Sequence, residues 1–135
     1  MRPTAPRLIG GLWSLRLSRF AAIGILSTVL YAALALALDG LGIQATGASV
    51  LAFGLAATFS YAGHKYVTYV SGGRHAFELP RFLALSAAGL AVVSMLPALL
   101  SGVLGLPAAV SVLLACIVVP AVNYVVLGRW VFRDA

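Results

Sequence analysis

Charged residues are scarce in this sequence. Of its 135 residues only 9% are charged, whereas 62% are hydrophobic, and a soluble domain carries about 25% charged residues. This shortage excludes a surface that faces water throughout. Because the apolar residues lie in long blocks, a soluble fold with an oversized core is a poor alternative. The sequence therefore predicts a single all-α membrane domain over residues 1–135, with no polar sequence left for a second, soluble one.

Acidic residues and cysteine are scarcer still. The three acidic residues, Asp39, Glu78 and Asp134, all lie outside the apolar blocks, and the lone Cys116 excludes an intrachain disulfide. The sequence has no catalytic triad, metal-ligand spacing or glycine-rich phosphate loop, so neither an enzyme nor a metal or cofactor is expected. Exporters of cationic drugs need a carboxylate buried in the membrane. The lack of one in the apolar blocks disfavours that class.

Four uncharged stretches are long enough to cross a bilayer as helices. They comprise residues 20–38, 43–63, 82–104 and 107–128. The shortest would be about 28 Å long, which matches the roughly 30 Å hydrocarbon core. Short turns join the first two and the last two stretches, so each pair forms an antiparallel hairpin. A longer polar loop, at about residues 64–81, joins the two hairpins.

The positive charges predict one orientation. All nine Lys and Arg residues lie in the N-terminal segment, the central loop or the C-terminal tail, and none lies in the short turns. Basic loops stay in the cytoplasm, so both termini are expected there, and Asp39 and Gln44 face outside. The net charge of +6 then favours membrane lipids, not nucleic acid, as the anionic partner.

Residues 7–19 precede the first span and predict a short interfacial helix. Its leucine and tryptophan side chains can face lipid while Arg16 and Arg19 stay near the headgroups. A frayed leader is the alternative, and the Gly10-Gly11 pair favours it. Cleavage as a signal peptide after residues 35–37 is disfavoured, because the apolar run exceeds the usual length of about 7–15 residues.

The chain contains an internal duplication. An Arg-Phe pair opens each half, at Arg19 and again at Arg81, 62 residues later. At an offset of 63, the closing segments also match, and the matched pairs are Ser60 with Asn123, Tyr61 with Tyr124 and Tyr69 with Phe132. Repeat one covers residues 19–70 and repeat two residues 81–133. Since both begin on the cytoplasmic side, this is a parallel duplication about an axis along the membrane normal.

Small residues and prolines predict how the helices pack. Ala48, Ala52, Ala56 and Ser60 form a stripe with a spacing of four residues, which favours close helix packing over a transport pathway. Pro97 and Pro120 interrupt the third and fourth spans. Kinks at these prolines either form a cavity or fit the bundle.

Basic and aromatic residues gather at the predicted cytoplasmic ends of the spans. The candidate phosphate-binding residues are Arg19, Lys65, Arg81 and Arg129. The candidate contacts to sugar or prenyl chain are Tyr61, His64, Asn123, Tyr124 and Trp130. Arginine forks bind phosphate and aromatic faces stack on sugars. The alternative is that these residues only fix topology and anchor the interface.

These motifs resemble the GtrA-like family over residues 19–133. The resemblance rests on Arg19-Phe20-x-x-x-Gly24, on Ser60-Tyr61-x-x-His64-Lys65, and on the segment from Asn123-Tyr124 to Arg129-Trp130. It implies a four-helix protein of the bacterial inner membrane, linked to cell-surface polysaccharide synthesis. Such proteins move polyprenyl-phosphate-linked sugars to the outer leaflet or support the glycosyltransferases that use them.

One departure from the family pattern singles out Lys65. Typical members have Asn-Arg before the closing aromatic in both halves, whereas this chain has His64-Lys65 and then Leu127-Gly128. Lys65 is therefore the better single phosphate ligand. The leading hypothesis is a flippase-like carrier of a polyprenyl-phosphate monosaccharide, expected as a homodimer because four helices enclose little space. The alternatives are a scaffold that recruits a glycosyltransferase and an exporter of small molecules.

Overall fold

The computed structural model describes residues 6–134, with side chains described except at residues 6–14, 45, 46, 97, 108, 111 and 112. Over this range the chain forms helices joined by short turns and loops, without strands. The α-helices are α1 (Pro6–Gly40), α2 (Ala45–Gly63), α3 (His75–Pro97) and α4 (Ala108–Val126). Three π-helices extend them, namely π1 (His64–Thr68), π2 (Ala98–Val103) and π3 (Leu127–Val131).

The helices have the length and composition of membrane spans. Within the described residues, three segments are long and apolar enough to cross a bilayer, namely Leu15–Gly40, His75–Val103 and Leu113–Val131. The remaining helix, α2, has 19 residues and no charged side chain. The predicted all-α membrane fold, with four helices arranged as two hairpins, is confirmed.

α1 corrects the prediction for the N-terminal segment. It runs for 35 residues without a break, about 52 Å at 1.5 Å per residue. The residues predicted as a separate interfacial helix are therefore the first part of α1. The Gly10-Gly11 pair does not interrupt it, because the Leu and Arg residues around the pair favour helix. Arg2 and the side chain of Arg7 lie outside what the structure describes.

The polar loop between the hairpins is shorter than predicted. π1 carries the second helix on to Thr68, and α3 begins at His75. Only residues 69–74 remain as loop. Within it, Val70 has a positive φ of 51°, which a β-branched residue rarely adopts.

The chain divides into two compact units, unit 1 (Met1–Val70) and unit 2 (Ser71–Ala135). In unit 1, α1 packs along α2. Ala48, Ala52 and Ala56 are buried on α2, as close approach of two backbones requires. This burial agrees with the predicted packing stripe. α1 and α2 are joined by a tight turn that places Gly42 at a φ of +84°, where glycine carries no steric penalty.

In unit 2, α3 packs along α4. The α-helical part of the third span ends at Pro97 and continues as π2, because proline cannot donate the next backbone hydrogen bond. Pro120, in contrast, lies inside α4, which continues through it to Val126. Unit 2 is thus a second hairpin of the same plan.

Candidate functional site

Each hairpin closes on a five-residue π-helix. π1 and π3 begin 63 residues apart, at His64 and Leu127. The amide of Tyr69 donates to the carbonyl of His64 at 2.9 Å, and the amide of Phe132 donates to that of Leu127 at 2.8 Å. π-helical turns are rare and often occur at functional sites. The predicted offset of 63 therefore relates two backbone features that share an unusual geometry.

An arginine at the start of each hairpin holds the π-helix at its end. Arg19 donates from Nη1 to the carbonyl of Val67 at 3.0 Å. Arg81 donates from Nη1 to the carbonyl of Trp130 at 3.2 Å. Carbonyls in the last turn of a helix have no partner within the helix, so the guanidinium takes that role. The two bonds bring the start and the end of each hairpin together at one end of its unit.

In unit 1, the first helix forms a ladder of contacts with the closing segment. The Arg16 guanidinium carbon lies 5.5 Å from the centre of the Tyr69 ring. One turn further, the Phe20 ring stacks on the His64 ring, with centroids 5.0 Å apart. A Cβ added to Gly63 would come within 2.8 Å of two Ile23 atoms, so α1 and α2 approach closely here because residue 63 is glycine.

His64 is a buried polar group within this ladder. Its side chain is 4% exposed, and its Nδ1 lies 3.2 Å from the Thr68 hydroxyl. His64 follows the end of α2, and burial lowers the pKa of its imidazole to about 4. The ring is therefore neutral at pH 7. A neutral ring suits hydrogen bonding to a sugar hydroxyl better than charge pairing with a phosphate.

Two further candidate residues of unit 1, Lys65 and Tyr61, are also buried, whereas Arg19 is exposed. Lys65 is 2% exposed, and its Nζ lies 5.8 Å from the centre of the Tyr66 ring. Tyr61 is 6% exposed and lies one turn before Lys65 on the same helix. An ammonium group at low exposure acts through a lower effective dielectric than one in water. Lys65 therefore has more electrostatic influence on a nearby anion than a solvated lysine.

Unit 2 has a different set of side chains at the matching positions. Leu127 and Val131 are buried on π3, where π1 carries His64 and Thr68. Gly128 takes the place of Lys65. The remaining candidates of unit 2 are Asn123 and Tyr124, which are partly buried, and Arg129 and Trp130, which are exposed. The closing segment of unit 2 is thus apolar where that of unit 1 is polar.

Sequence reasoning missed a polar cluster at the start of unit 2. Glu78 is buried and accepts a hydrogen bond from the Ser71 hydroxyl. The Ser71 oxygen in turn accepts one from the Gly73 amide at 3.1 Å. Arg16 was also missed as a contact of the closing aromatic Tyr69. The offset of 62 between the opening arginines also relates Arg16 to Glu78, so the sequence could have marked both positions for comparison, but not their contacts.

The structure therefore brings the predicted residues together within each unit. In unit 1 the shared end holds Arg19, Tyr61, His64 and Lys65. In unit 2 it holds Arg81 with the π3 residues Arg129 and Trp130, and Asn123 and Tyr124 lie one turn before π3. A ring of four cations drawn from both units stays a prediction.

Comparisons with known proteins add one finding. A family model described as the GtrA/DPMS transmembrane domain matches residues 19–132. The match begins at the opening arginine of unit 1 and ends at Phe132, the closing aromatic of unit 2, so it includes both hairpins. Comparisons with curated proteins and with solved structures gave no match.

Proposed function

Because the chain belongs to the GtrA/DPMS transmembrane-domain family, we propose that it carries a polyprenyl-phosphate-linked monosaccharide across the bacterial inner membrane. The family is membrane-embedded and related to the translocation of polyprenyl-phosphate sugars, so a lipid partner of this class follows from membership. The proposal adds the direction, from the cytoplasmic to the outer leaflet, and the use, synthesis of cell-surface polysaccharide. It treats the chain as a carrier, not an enzyme.

One observation supports the proposal above all. In each unit an opening arginine bonds to a carbonyl of the closing π-helix, at 3.0 Å in unit 1 and 3.2 Å in unit 2. In each hairpin these bonds gather a guanidinium group, aromatic rings and a π-helical cation at one end, with Lys65 as that cation in unit 1 and Arg129 in unit 2. A phosphate-linked sugar needs charged donors for its phosphate and flat faces for its sugar. Both occur there together.

The proposal includes an orientation and an assembly. The nine Lys and Arg residues all belong to segments that the positive-inside rule assigns to the cytoplasm. The ends with the arginine contacts then face the inner leaflet, from which the substrate would be loaded. Two hairpins enclose little space for a headgroup, so the proposed carrier is a homodimer.

A leaflet-resolved assay tests the proposal. Purified protein is reconstituted alone into vesicles with a labelled prenyl-phosphate sugar, and a membrane-impermeant reagent measures how much label reaches the opposite leaflet. The wild-type protein is expected to accelerate this movement. The Lys65→Ala, Arg129→Ala double variant is expected to reduce the rate at least about tenfold, since it removes two phosphate ligands. Unchanged movement in that variant would sink the site assignment.

Arg74→Ala is the control for the loss of an exposed arginine outside the site. Arg74 is exposed and lies 5.7 Å from the ring of its own neighbour Phe77, outside the proposed site. The same preparation also discriminates between a carrier and a scaffold. Transport by the protein alone supports the carrier, whereas co-purification with a glycosyltransferase and no transport supports the scaffold.

A further inference from the structure

The two units carry opposite charges at one matched position. Arg16 lies three residues before the opening Arg19, and Glu78 lies three residues before the opening Arg81. Both opening arginines make the same kind of bond, from Nη1 to a carbonyl of the closing π-helix. The two units therefore share the arginine-to-carbonyl bond, but the residue three positions before the arginine is basic in unit 1 and acidic in unit 2.

In unit 1 this position adds a second guanidinium to the closing segment. Arg16 and Arg19 are one turn apart on α1, a spacing that places them on the same helix face. Arg16 reaches the Tyr69 ring and Arg19 reaches the Val67 carbonyl. A guanidinium has five N–H donors, so one carbonyl bond occupies a minor part of Arg19. Lys65 on π1 supplies a third cation to the same unit.

In unit 2 the same position holds an acid. Glu78 is 2% exposed and accepts the hydrogen bond of Ser71. π3 meanwhile has Gly128 where π1 has Lys65. Its cation, Arg129, lies one residue later and is exposed, whereas Lys65 is buried. A buried carboxylate beside the opening arginine opposes binding of a second anion, because like charges repel strongly at low dielectric. The arrangement that would favour a phosphate in unit 1 therefore disfavours one in unit 2.

We infer that each chain has one phosphate site, formed in unit 1 by Arg16, Arg19 and Lys65, and that unit 2 has none. This inference rests on the proposed function and narrows the phosphate ligands from candidate cations in both units to cations of unit 1 alone. The ligand is a phosphate group, carried either by a prenyl lipid or as the free ion. Arg16 is a binding residue in this site, and Arg81 only positions π3.

A binding titration tests the inference on the full-length protein in phosphatidylcholine nanodiscs. The probes are farnesyl phosphate, inorganic phosphate and farnesol, and the readouts are affinity and the number of probe molecules per chain. One farnesyl phosphate per chain is expected. Arg16→Gln and Arg19→Gln are each expected to weaken binding about tenfold or more, as the loss of a charge-assisted hydrogen bond does.

Two comparison variants make the result specific. Arg74→Gln removes a guanidinium that lies over an aromatic ring, as Arg16→Gln does, but at 5.7 Å from Phe77 in unit 2. It is expected to leave the affinity unchanged. Arg81→Gln removes the bond to the Trp130 carbonyl, which is the counterpart in unit 2 of the bond from Arg19 to Val67. It is expected to weaken binding less than about threefold, through long-range charge alone. Melting temperatures report folding, and if Arg19→Gln does not fold, Arg16→Gln decides.

Each outcome bears on one claim. Tighter binding of farnesyl phosphate than of inorganic phosphate supports a lipid headgroup site, and equal binding of both supports a site for free phosphate. Two farnesyl phosphates per chain, or equal weakening by Arg19→Gln and Arg81→Gln, would overturn the single site and leave the proposed carrier intact. Binding as inferred, without transport in the vesicle assay, would overturn the carrier and leave the site.

Discussion

The two hairpins share a backbone and differ in the side chains that they present on it. Both close on a π-helix, and both use an arginine to hold a carbonyl of that π-helix. Unit 1 then places His64, Lys65 and Thr68 on its π-helix, whereas unit 2 has Leu127, Gly128 and Val131. On the π-helices, the shared features involve main-chain carbonyls and amides, which do not depend on the side chains there. They can therefore persist while the side chains diverge.

The difference also separates two uses of a buried polar group. In unit 1, His64 is buried against Phe20 within the ladder that joins α1 to π1. In unit 2, the buried polar pair is Ser71 and Glu78, which ties the loop after π1 to the start of α3. Buried polar groups are costly unless they are satisfied. The two units thus bury polar groups at different places, unit 1 on its closing π-helix and unit 2 at the start of its first helix.

The largest expected effect concerns the pH dependence of His64. Its folded pKa of about 4 lies below the ordinary value of 6.5, so the unfolded chain binds the proton more readily. The free energy of unfolding is therefore highest above pH 6.5. It falls by on the order of 3 kcal/mol as the pH is lowered towards 4, because protonation of His64 favours the unfolded chain. His64→Leu, which copies Leu127 of unit 2, should remove this pH dependence. Unfolding in detergent at pH 7, 5.5 and 4 measures it.

Parallel pH profiles for wild-type protein and His64→Leu would contradict the burial of a neutral histidine in unit 1. They would also remove one of the clearest differences between the two closing segments.

The next largest effect concerns the close approach at Gly63. A Cβ at this residue would lie 2.8 Å from two Ile23 atoms, so Gly63→Ala is expected to cost about 1–3 kcal/mol of stability through overpacking. Gly54→Ala on the same helix is the control, because nothing lies within 4 Å of its added Cβ. Thermal unfolding of both variants measures the difference.

A second substitution sharpens this test. In the Ile23→Ala background, Gly63→Ala should cost less than it does alone, because the clashing side chain is gone. Additive costs would show that the two residues do not limit the approach of α1 to α2.

The smallest expected effect concerns the polar pair of unit 2. Ser71→Ala removes the donor to the buried Glu78 and the acceptor for the Gly73 amide, and is expected to cost about 1 kcal/mol. Ser94→Ala is the control, because the Ser94 hydroxyl bonds to the Leu90 carbonyl of its own helix at 2.8 Å. Denaturant unfolding compares them. Equal costs would mean that the Ser71 contact contributes nothing specific to unit 2.

Features of the fold that depend on composition and spacing were predictable from sequence. The shortage of charge predicted membrane helices, and the offset of 63 predicted that the two closing segments correspond. Hydrophobic periodicity does not separate a π-helix from an α-helix, since both keep apolar residues together over a few residues. The π-helical closing turns therefore could not be predicted from hydrophobic periodicity.

The sequence predicted which residues belong to the candidate site better than it predicted what those residues contact. Lys65 and Arg19 were identified as basic residues near span ends, but the partner of Arg19 is a backbone carbonyl, which every residue has. Arg16 was expected near the lipid headgroups, and the structure adds a contact with the Tyr69 ring that the sequence did not predict. Its position depends on α1 running unbroken from Arg16 to Phe20, whereas the sequence predicted residues 7–19 as a separate interfacial helix.

The π-helix also has a consequence for how such a chain can change by insertion and deletion. The five residues of π1 accommodate one residue more than α-helical bonding would. Deleting one residue between His64 and Thr68 would allow ordinary α-helical bonding and turn everything after it by about 100°. Tyr69 would then point away from Arg16, while both spans of the hairpin kept their lengths. A change of one codon could thus re-aim a closing aromatic in one half of the chain and leave the other half as it was.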